Sequence, residues 1–202
     1  SLWHAYPRTL ISASGSDVIS GILSSMAGSM SYVNGQFNLF AGASQSPSLT
    51  ITDDDLIRPI SLATKPNSGS LHNSVKPVYV DKNLNFISAD APVFQSSTFL
   101  NSDTPTGEST ANYIKQMELQ LPFTSTSTMA QRLGRISLNY ERQSIMLSCT
   151  VSLKFLRLQP NDWVYLTNER LSFSQKAFQV IAIDVENIGD ENSPLFVTRL
   201  DL

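Results

Sequence analysis

The spacing of apolar residues changes between Met129 and Val151, and this change restricts the chain to a fold that combines helix with sheet. Four residues recur at steps of four, three and four: Met129, Leu133, Ile136 and Tyr140. That spacing is typical of one face of a helix. From Ile145 to Val151, apolar residues instead alternate with Met, Ser and Thr, as in a strand with one buried face. We therefore predict a helix at about 127–142, followed by strands.

The beginning of this helix is predicted from its polar residues. Thr126, Ser127 and Thr128 offer side-chain oxygens to the N–H groups that open a helix. Thr128 with Gln131 has the spacing of a capping box. Gly134 lies inside the helix, where it costs roughly 1 kcal/mol relative to Ala but permits close backbone contact.

A second constraint is the dipeptide Asn34-Gly35 between two strand-like runs, which is the signature of a type I′ hairpin. The turn places Tyr32 opposite Phe37 and Met30 opposite Leu39. We expect these four side chains to share one face and to pack on the preceding helix. That helix is predicted to be capped by Ser16-Asp17, to extend to about Met30, and to carry its apolar face on Val18, Ile19, Ile22, Leu23 and Met26.

The remaining strands are short, which favours an α+β, β-rich fold class. They are predicted at Leu49–Thr52, Ile60–Ala63, Val75–Val80, Phe86–Ser88, Met117–Leu121, Trp163–Leu166, Phe178–Val185 and Phe196–Leu200. The polar stretch 88–111 is predicted to be a long loop. We expect a helix-plus-hairpin unit at 1–45 and a second, β-rich domain at 46–202 that carries the long helix.

Composition limits the classes of function. Only 15% of the 202 residues are charged, against about 25% in typical proteins, and the net charge is −3. The charge gives no overall reason to expect nucleic-acid binding. No apolar run has the length of a membrane span, and no basic-then-apolar leader is present. Cys149 is the only cysteine, which excludes an internal disulfide, and its strand face predicts a buried side chain rather than a reactive thiol.

Three sets of residues were weighed as catalytic or metal sites. Asp53-Asp54-Asp55 could bind a cation, but consecutive carboxylates diverge, so we expect a turn in which one Asp caps Leu56-Ile57. His4 and His72 are expected at the surface or in turns rather than in a triad. The third set could supply the carboxylate pair of a glycosidase, although nothing in the sequence marks such a pair. Its members are Asp90, Glu108 and Glu118.

Two further sets could form binding surfaces. Arg132, Arg135 and Arg142 are expected to form a helix face that contacts either solvent or a neighbouring subunit. Trp163 and Tyr165 could stack on a sugar, but burial in a core or an interface is the preferred interpretation. We therefore predict that the chain has no catalytic, cofactor-binding or metal-binding residues, no cofactor, and no enzyme activity.

The order of several short segments resembles the tip-attachment (host-specificity, J-type) protein of long-tailed bacteriophages, from about Arg8 to Val185. The segments are Ile22–Gly28, Phe40–Ala43, Leu49–Leu56, Asn73–Val75, Tyr79–Asp81, Leu121–Phe123, Ala130–Leu133, Glu141–Gln143 and Leu158-x-Pro-x-Asp-x-Val164. The chain departs from the pattern at three positions: Gly134 replaces a common Ala, Tyr140 a common basic residue, and Asn161 the Gly of a Pro-Gly-Asp turn.

The resemblance implies a structural module of the virion's tail tip. In that family the chains assemble as a trimer around the tail axis, in a hub that closes the tail tube, carries the host-recognition parts and transmits receptor contact to tube opening for genome ejection. It also implies a barrel-like, mainly antiparallel β domain, neighbouring tail proteins as partners, and host receptors bound through regions outside this chain. We expect the chain to be a fragment of a longer polypeptide, because it starts without Met and ends directly after a predicted strand. The alternatives are a receptor- or glycan-binding module of a phage tail and a cell-wall hydrolase domain.

Overall fold

The structure is a computed structural model that describes residues 14–33, 35–42, 45–63, 71–143, 145–189 and 194–202. The helices are α1 (Gly15–Ser25), α2 (Ser97–Asp103) and α3 (Ser127–Glu141). The strands are β1 (Ser29–Val33), β2 (Gln36–Phe40), β3 (Leu49–Ile51), β4 (Ser61–Ala63), β5 (Ser74–Asp81), β6 (Ile87–Asp90), β7 (Phe94–Gln95), β8 (Gln116–Leu121), β9 (Met146–Val151), β10 (Trp163–Asn168), β11 (Phe173–Gln179), β12 (Ala182–Asn187) and β13 (Phe196–Asp201). The predicted α+β, β-rich class is confirmed.

The chain divides into two compact units, one formed by Ser1–Met30 with Pro66–Ser144 and one by Ser31–Lys65 with Ile145–Leu202. The predicted division into domains at residues 45/46 stays a prediction. No helix in the described ranges is both long and apolar enough to cross a membrane.

In the first unit, β5 is the central strand and α3 packs against it. β5 pairs antiparallel with β6 and β7 and parallel with β8. The core cluster of this unit lies between the sheet and α3, and its buried members are Tyr79, Ala91, Leu121, Ala130 and Leu133. Gly134 allows the helix to approach the sheet closely, since a Cβ there would lie 2.9 Å from Cγ of Pro77. The expected close approach at this glycine is made to the side chains of Pro77 and Val75 on β5.

The predicted bounds of α3 are confirmed within one residue, but its buried face was predicted partly wrongly. The buried residues are Ala130, Leu133, Gly134 and Leu138. The buried residues Ala130, Gly134 and Leu138 are spaced four positions apart and form one stripe along the helix. Tyr140, one of the larger side chains of the predicted face, lies off this stripe and is 61% exposed. The capping box predicted for Thr128 and Gln131 is also wrong, because the helix begins at Ser127 and Thr128 lies inside it.

Helix α1 is shorter than predicted. Its N-cap is Ser14, not Ser16-Asp17, and the Ser14 hydroxyl accepts a hydrogen bond of 3.2 Å from the Asp17 N–H. The helix ends at Ser25 and not near Met30. Ala27 has a φ of 47°, in the left-handed region that ends a helix, so the chain turns and β1 begins at Ser29.

The stretch 88–111 is not a long loop. It contains the end of β6, all of β7 and α2, and the beginning of a 3-10 turn at Thr110–Tyr113. The Ser96 hydroxyl caps α2 by accepting a hydrogen bond of 3.4 Å from the Phe99 N–H, and Leu100 is buried. The prediction failed because this segment is stabilised by distant residues rather than by its own hydrophobic pattern.

Besides the two-stranded sheet of β1 and β2, the second unit contains two open sheets, and none of the sheets in the described residues closes into the expected barrel-like domain. The three-stranded sheet has the order β11-β10-β3, with β3 parallel to β10, and the four-stranded sheet has the order β12-β13-β9-β4. The predicted strand Phe178–Val185 is in fact two strands. The chain changes sheet at Val180 and Ile181, whose N–H groups donate to Asp162 and Asp201 respectively.

The core of the second unit lies along one face of β9, as the period of two predicted. Leu147, Cys149 and Val151 are buried, whereas Met146 is 63% exposed. The other buried members of this cluster come from the neighbouring strands and turns and are Ile51, Phe155, Leu158, Val164, Leu166, Phe178, Val180, Leu200 and Leu202.

Strands β1 and β2 form the predicted two-stranded hairpin. The Tyr32 and Phe37 ring centroids lie 4.8 Å apart, which confirms that the two rings share a face. Gly35 has a φ of 79°, while Asn34 lies outside the described residues. The side chains of this face point to solvent, and its expected packing on α1 stays a prediction. The exposed fractions are 37% for Met30, 65% for Tyr32, 68% for Phe37 and 63% for Leu39.

Candidate functional site

The three consecutive aspartates diverge, as expected, and two of them bind protein groups. They form a 3-10 turn after β3. Asp53 accepts hydrogen bonds from the Asn168 side chain and from the Glu169 N–H. Asp55 accepts two hydrogen bonds of 3.1 Å from Thr52, one from its N–H and one from its hydroxyl. The capping aspartate therefore closes the turn back onto Thr52, rather than capping Leu56-Ile57 as predicted.

Asp55 also forms an ion pair with Lys154. Burial alone would raise the pKa of the Asp55 carboxyl, but the hydrogen bonds from Lys154 and Thr52 outweigh burial and lower it. The carboxylate is thus held ionised as a structural acceptor that fastens the turn after β3 to the segment after β9.

His72 is bound to a carboxylate, and the sequence did not reveal its partner. Its Nδ1 lies 2.6 Å from Oε1 of Glu141, the last residue of α3. Both side chains are about one-third to one-quarter exposed. His4 lies outside the described residues. The His72–Glu141 pair joins the segment before β5 to the end of α3.

The carboxylates weighed for glycoside cleavage have separate surroundings. Lys76 on β5 forms an ion pair of 2.6 Å with Asp90 on β6. The hydrogen bond with Asp90 raises the pKa of Lys76. Glu118 on β8 accepts a hydrogen bond from Gln120, and Glu108 is exposed. Asp90 and Glu118 each contact a neighbouring side chain, and Glu108 is exposed to solvent. None of the three carboxylates is held in the surroundings of a general acid.

The predicted arginine face is not uniform. Arg132 and Arg135 are exposed on α3, and Arg135 lies 5.9 Å from the centre of the Phe94 ring. Arg142 follows the helix and points into the protein, where only 10% of its side chain is exposed. Its guanidinium lies 4.7 Å from the centre of the Phe99 ring on α2. The expectation of a solvent- or subunit-facing residue is therefore wrong for Arg142.

Arg142 belongs to a polar network that sequence reasoning missed. It donates two hydrogen bonds to the Asp103 carboxylate, of 2.7 and 3.1 Å, and Asp103 also accepts one of 3.0 Å from the fully buried Asn73. Burial alone would raise the pKa of Asp103, but the bonds from Arg142 and Asn73 lower it. Asn73 also donates to the Tyr113 carbonyl and accepts from the Lys115 N–H. No local pattern links these residues, because 30 to 42 positions separate them.

The aromatic and thiol side chains singled out in the sequence are mainly structural. Trp163 and Tyr165 are half-buried and alternate with the buried Val164 and Leu166 on β10. Cys149 is 2% exposed, which confirms its predicted burial, and desolvation raises the pKa of its thiol to about 12.

One small cavity in the second unit, of about 230 Å³, has a mixed lining. It is lined by Leu49, Thr50, Lys154, Phe155 and Arg157. Ligand pockets usually occupy roughly 300–1,000 Å³, so this one is small even for a compact ligand. In the part of the chain that the structure describes, no three His, Cys, Asp or Glu side chains come together as a metal-binding group. The charged side chains described above therefore mainly connect segments that are distant in sequence.

Solved structures with a similar fold include two tail proteins and a chain of a virion particle. The chain resembles the tail protein from Neisseria meningitidis MC58 with a TM-score of 0.57 and 12% identity, covering 92% of this chain and 54% of that one. It resembles a 43 kDa tail protein of prophage MuSo2 from Shewanella oneidensis with a TM-score of 0.55 and 12% identity, covering 96% and 54%. A chain of the virion of a native gene transfer agent particle gives a TM-score of 0.62 and 14% identity, covering 93% and 39%.

The chain therefore spans about half or less of each of these structures, and identities this low support the fold alone. A search of curated proteins found no match. Comparison with protein families is more informative, because the family described as "Putative phage tail protein" matches residues 14–183. That range includes most of both compact units, and the chain belongs to this family of phage tail proteins.

Proposed function

We propose that this chain is part of the hub or tip at the end of a phage tail. In the full-length protein, three copies would surround the tail axis, close the tail tube and connect it to the parts that recognise the host. The observation that carries the proposal is the family match across 14–183, combined with a fold shared with about half of two longer tail proteins. As a member of a phage tail family, the chain is a structural component of the virion.

The internal contacts support a mechanical role. Charged side chains are used to fasten segments that are distant in sequence: Arg142 to Asp103, Lys154 to Asp55, and Glu141 to His72. These contacts hold loops against helices and strands. They also mean that the charged groups are already paired within the protein. A module of this kind would transmit force through a tail tip without chemistry of its own.

The partners in this proposal are other copies of the chain and neighbouring tail proteins. One structural neighbour is a chain of a gene transfer agent virion, which supports assembly of this chain with other tail components. Host receptors would be bound through regions outside this chain. The proposal involves no cofactor, metal or catalytic residue.

A reconstruction of the assembled particle by electron cryo-microscopy tests the proposal. We expect density for residues 14–183 within a three-fold ring around the tail axis. A position outside that ring, as a free peripheral domain, would instead favour a receptor- or glycan-binding module. Binding of the isolated chain to a glycan array, or clearing of peptidoglycan in a zymogram, would support the two alternative functions and oppose the hub.

A further inference from the structure

Strand β3 is the outer strand of its sheet, and its second edge pairs with none of the described strands. The sheet has the order β11-β10-β3, and residues 49–51 pair with β10. Leu49 is half-buried and Thr50 is exposed, whereas Ile51 is fully buried. An outer strand presents backbone N–H and C=O groups to whatever lies beside it. Such an edge can take up an extended segment of another protein as an additional strand.

The small cavity of the second unit lies next to this strand. Its lining consists of Leu49 and Thr50 of β3 with Lys154, Phe155 and Arg157, and no described residue of β10 takes part. The last three belong to the 3-10 turn Leu153–Arg157. The volume of about 230 Å³ is several times the roughly 30 Å³ of a water molecule, but it is below the usual range of ligand pockets. The cavity therefore has room for one side chain rather than for a drug-sized ligand.

The cavity has an excess of positive charge. Lys154 is 59% exposed and is paired with Asp55, and its Nζ lies 4.9 Å from the centre of the Phe155 ring. Arg157 is exposed, and none of the ion pairs among the described residues includes it. The two cations and the one carboxylate leave an excess of one positive charge, although the net charge of the whole chain is −3. One further carboxylate would neutralise this excess and accept hydrogen bonds from the guanidinium.

We propose that the cavity binds an aspartate or glutamate side chain of a neighbouring tail protein, on an extended segment that pairs with the outer edge of β3. This inference rests on the proposed assembly with other tail components, because it names one surface that such a component uses. Leu49 and Phe155 contact the methylene groups of the acidic side chain, and Arg157 binds its carboxylate. A phosphate or another small anion would use the charges alone. The open strand edge favours a protein segment, since it adds backbone hydrogen bonds that a small anion cannot make in series.

Titration of the isotope-labelled chain with synthetic peptides, followed by NMR spectroscopy, tests the proposal. The probe is N-acetyl-Thr-Val-Glu-Val-Thr-amide, whose alternating side chains suit a strand. In the matched control peptide, Gln replaces Glu and keeps its shape without the charge. We expect the Glu peptide to shift the amide signals of residues 49–51 and 154–157. It should bind at least about fivefold more tightly than the Gln peptide.

The variant Arg157→Gln separates this cavity from a general attraction of anions to the protein. Arg157 is the better position to change, because Lys154 also holds Asp55. We expect Arg157→Gln to weaken binding of the Glu peptide about fivefold and to leave binding of the Gln peptide unchanged. Arg170→Gln is the matched control, since Arg170 is also exposed in the second unit and does not line the cavity. It should bind both peptides as the unchanged chain does.

Four results of the titration would overturn the proposal. They are equal affinity for the two peptides, equal losses in the Arg157 and Arg170 variants, amide shifts confined to other residues, and tighter binding of inorganic phosphate than of the Glu peptide at residues 154–157. Reconstruction of the assembled particle covers the case in which a short peptide binds too weakly. We expect an additional strand beside β3 with an acidic side chain at Arg157. An unoccupied edge of β3 in the particle would refute the proposal.

The result is separable from the proposed hub. Peptide binding tests the cavity in solution, and reconstruction tests the position of the chain. A ring at the tail axis in which the edge of β3 is unoccupied would overturn only the role of the cavity. An acidic strand bound to β3 in a chain located outside the ring would overturn only the hub.

Discussion

Arg142 holds Asp103 through two parallel hydrogen bonds, with Nη2 2.7 Å from Oδ1 and Nη1 3.1 Å from Oδ2. Asp103 is the last residue of α2, and Arg142 directly follows α3. The two side chains are only 16% and 10% exposed. This two-point contact is specific to the planar guanidinium, and it anchors α2 to the end of α3.

Replacing Arg142 is therefore expected to destabilise the first unit. Arg142→Ala should lower the free energy of unfolding by about 2–4 kcal/mol, because Asp103 keeps its charge in a mostly buried position without its main partner. Arg142→Lys should recover only part of the loss, since an ammonium cannot donate in the same parallel geometry. Urea unfolding curves measure both changes. Arg132→Ala is the matched control on an exposed position of α3, and an equal effect there would contradict the assignment.

The same contact predicts a loss of stability in acid. The pKa of Asp103 is lower in the folded protein than its usual 3.8, so the unfolded chain binds the proton more readily. The stabilisation is complete above about pH 4 and disappears as the pH falls below 3.8 and through the lower, folded-state pKa. Unfolding curves between pH 2 and 7 should show a smaller acid dependence for Asp103→Asn than for the unchanged chain. Asp54→Asn, at an exposed carboxylate, should retain the full dependence.

The contacts of Asp103 illustrate what the sequence could not reveal. The helix at 127–142, the strand after Ile145 and the shared face of Tyr32 and Phe37 follow from local period or turn chemistry, and the structure confirms them. The order of 88–111, in contrast, depends on Asn73 and Arg142, which lie outside that segment. No spacing rule predicts contacts between side chains that are far apart in sequence. A polar stretch that such contacts stabilise is therefore predicted to be a loop.

Leu138 tests the corrected face of α3. It is fully buried, whereas Tyr140, two residues later, is 61% exposed. Leu138→Ala should cost about 2–5 kcal/mol through lost burial and the cavity left behind, and Leu133→Ala should cost a similar amount. Tyr140→Ala should change the free energy of unfolding by less than about 0.5 kcal/mol. A larger effect for Tyr140 than for Leu138 in denaturant curves would restore the face predicted from spacing.

Asn161 tests the turn before β10. Its φ is 78°, in the left-handed region, and the Asp162 N–H donates to the Gln159 carbonyl at 3.0 Å across the turn. With Pro160 preceding it, Asn161 has the position that Gly usually takes in a type II turn. Asn161→Ala should cost about 1–2 kcal/mol, because a Cβ is disfavoured there and the Asn side chain contacts Gln179. Asn161→Gly should be nearly neutral, and thermal melts of the pair separate backbone strain from the lost side chain.

The orientation of the hairpin could not be predicted for a different reason. Turn chemistry at Gly35 sets which side chains share a face, and Tyr32 and Phe37 do so. It does not determine whether that face points inward. The usual assumption, that the apolar face is buried within the chain, applies to monomers and is unsafe for a component of an assembly.

Cys149 provides a direct measure of opening in the core of the second unit. It is the only cysteine of the chain, it is 2% exposed, and burial raises its pKa to about 12. The thiolate is the reactive form, so at pH 8 the native protein should not react with a disulfide reagent on the timescale that labels an exposed thiol. Adding denaturant should permit stoichiometric labelling, at a rate set by unfolding.

Val151→Ala, in the same cluster, should accelerate labelling under native conditions, whereas Met146→Ala on the exposed face of β9 should not. Rapid labelling of the unchanged native chain would show that β9 is accessible and that this core was assigned wrongly.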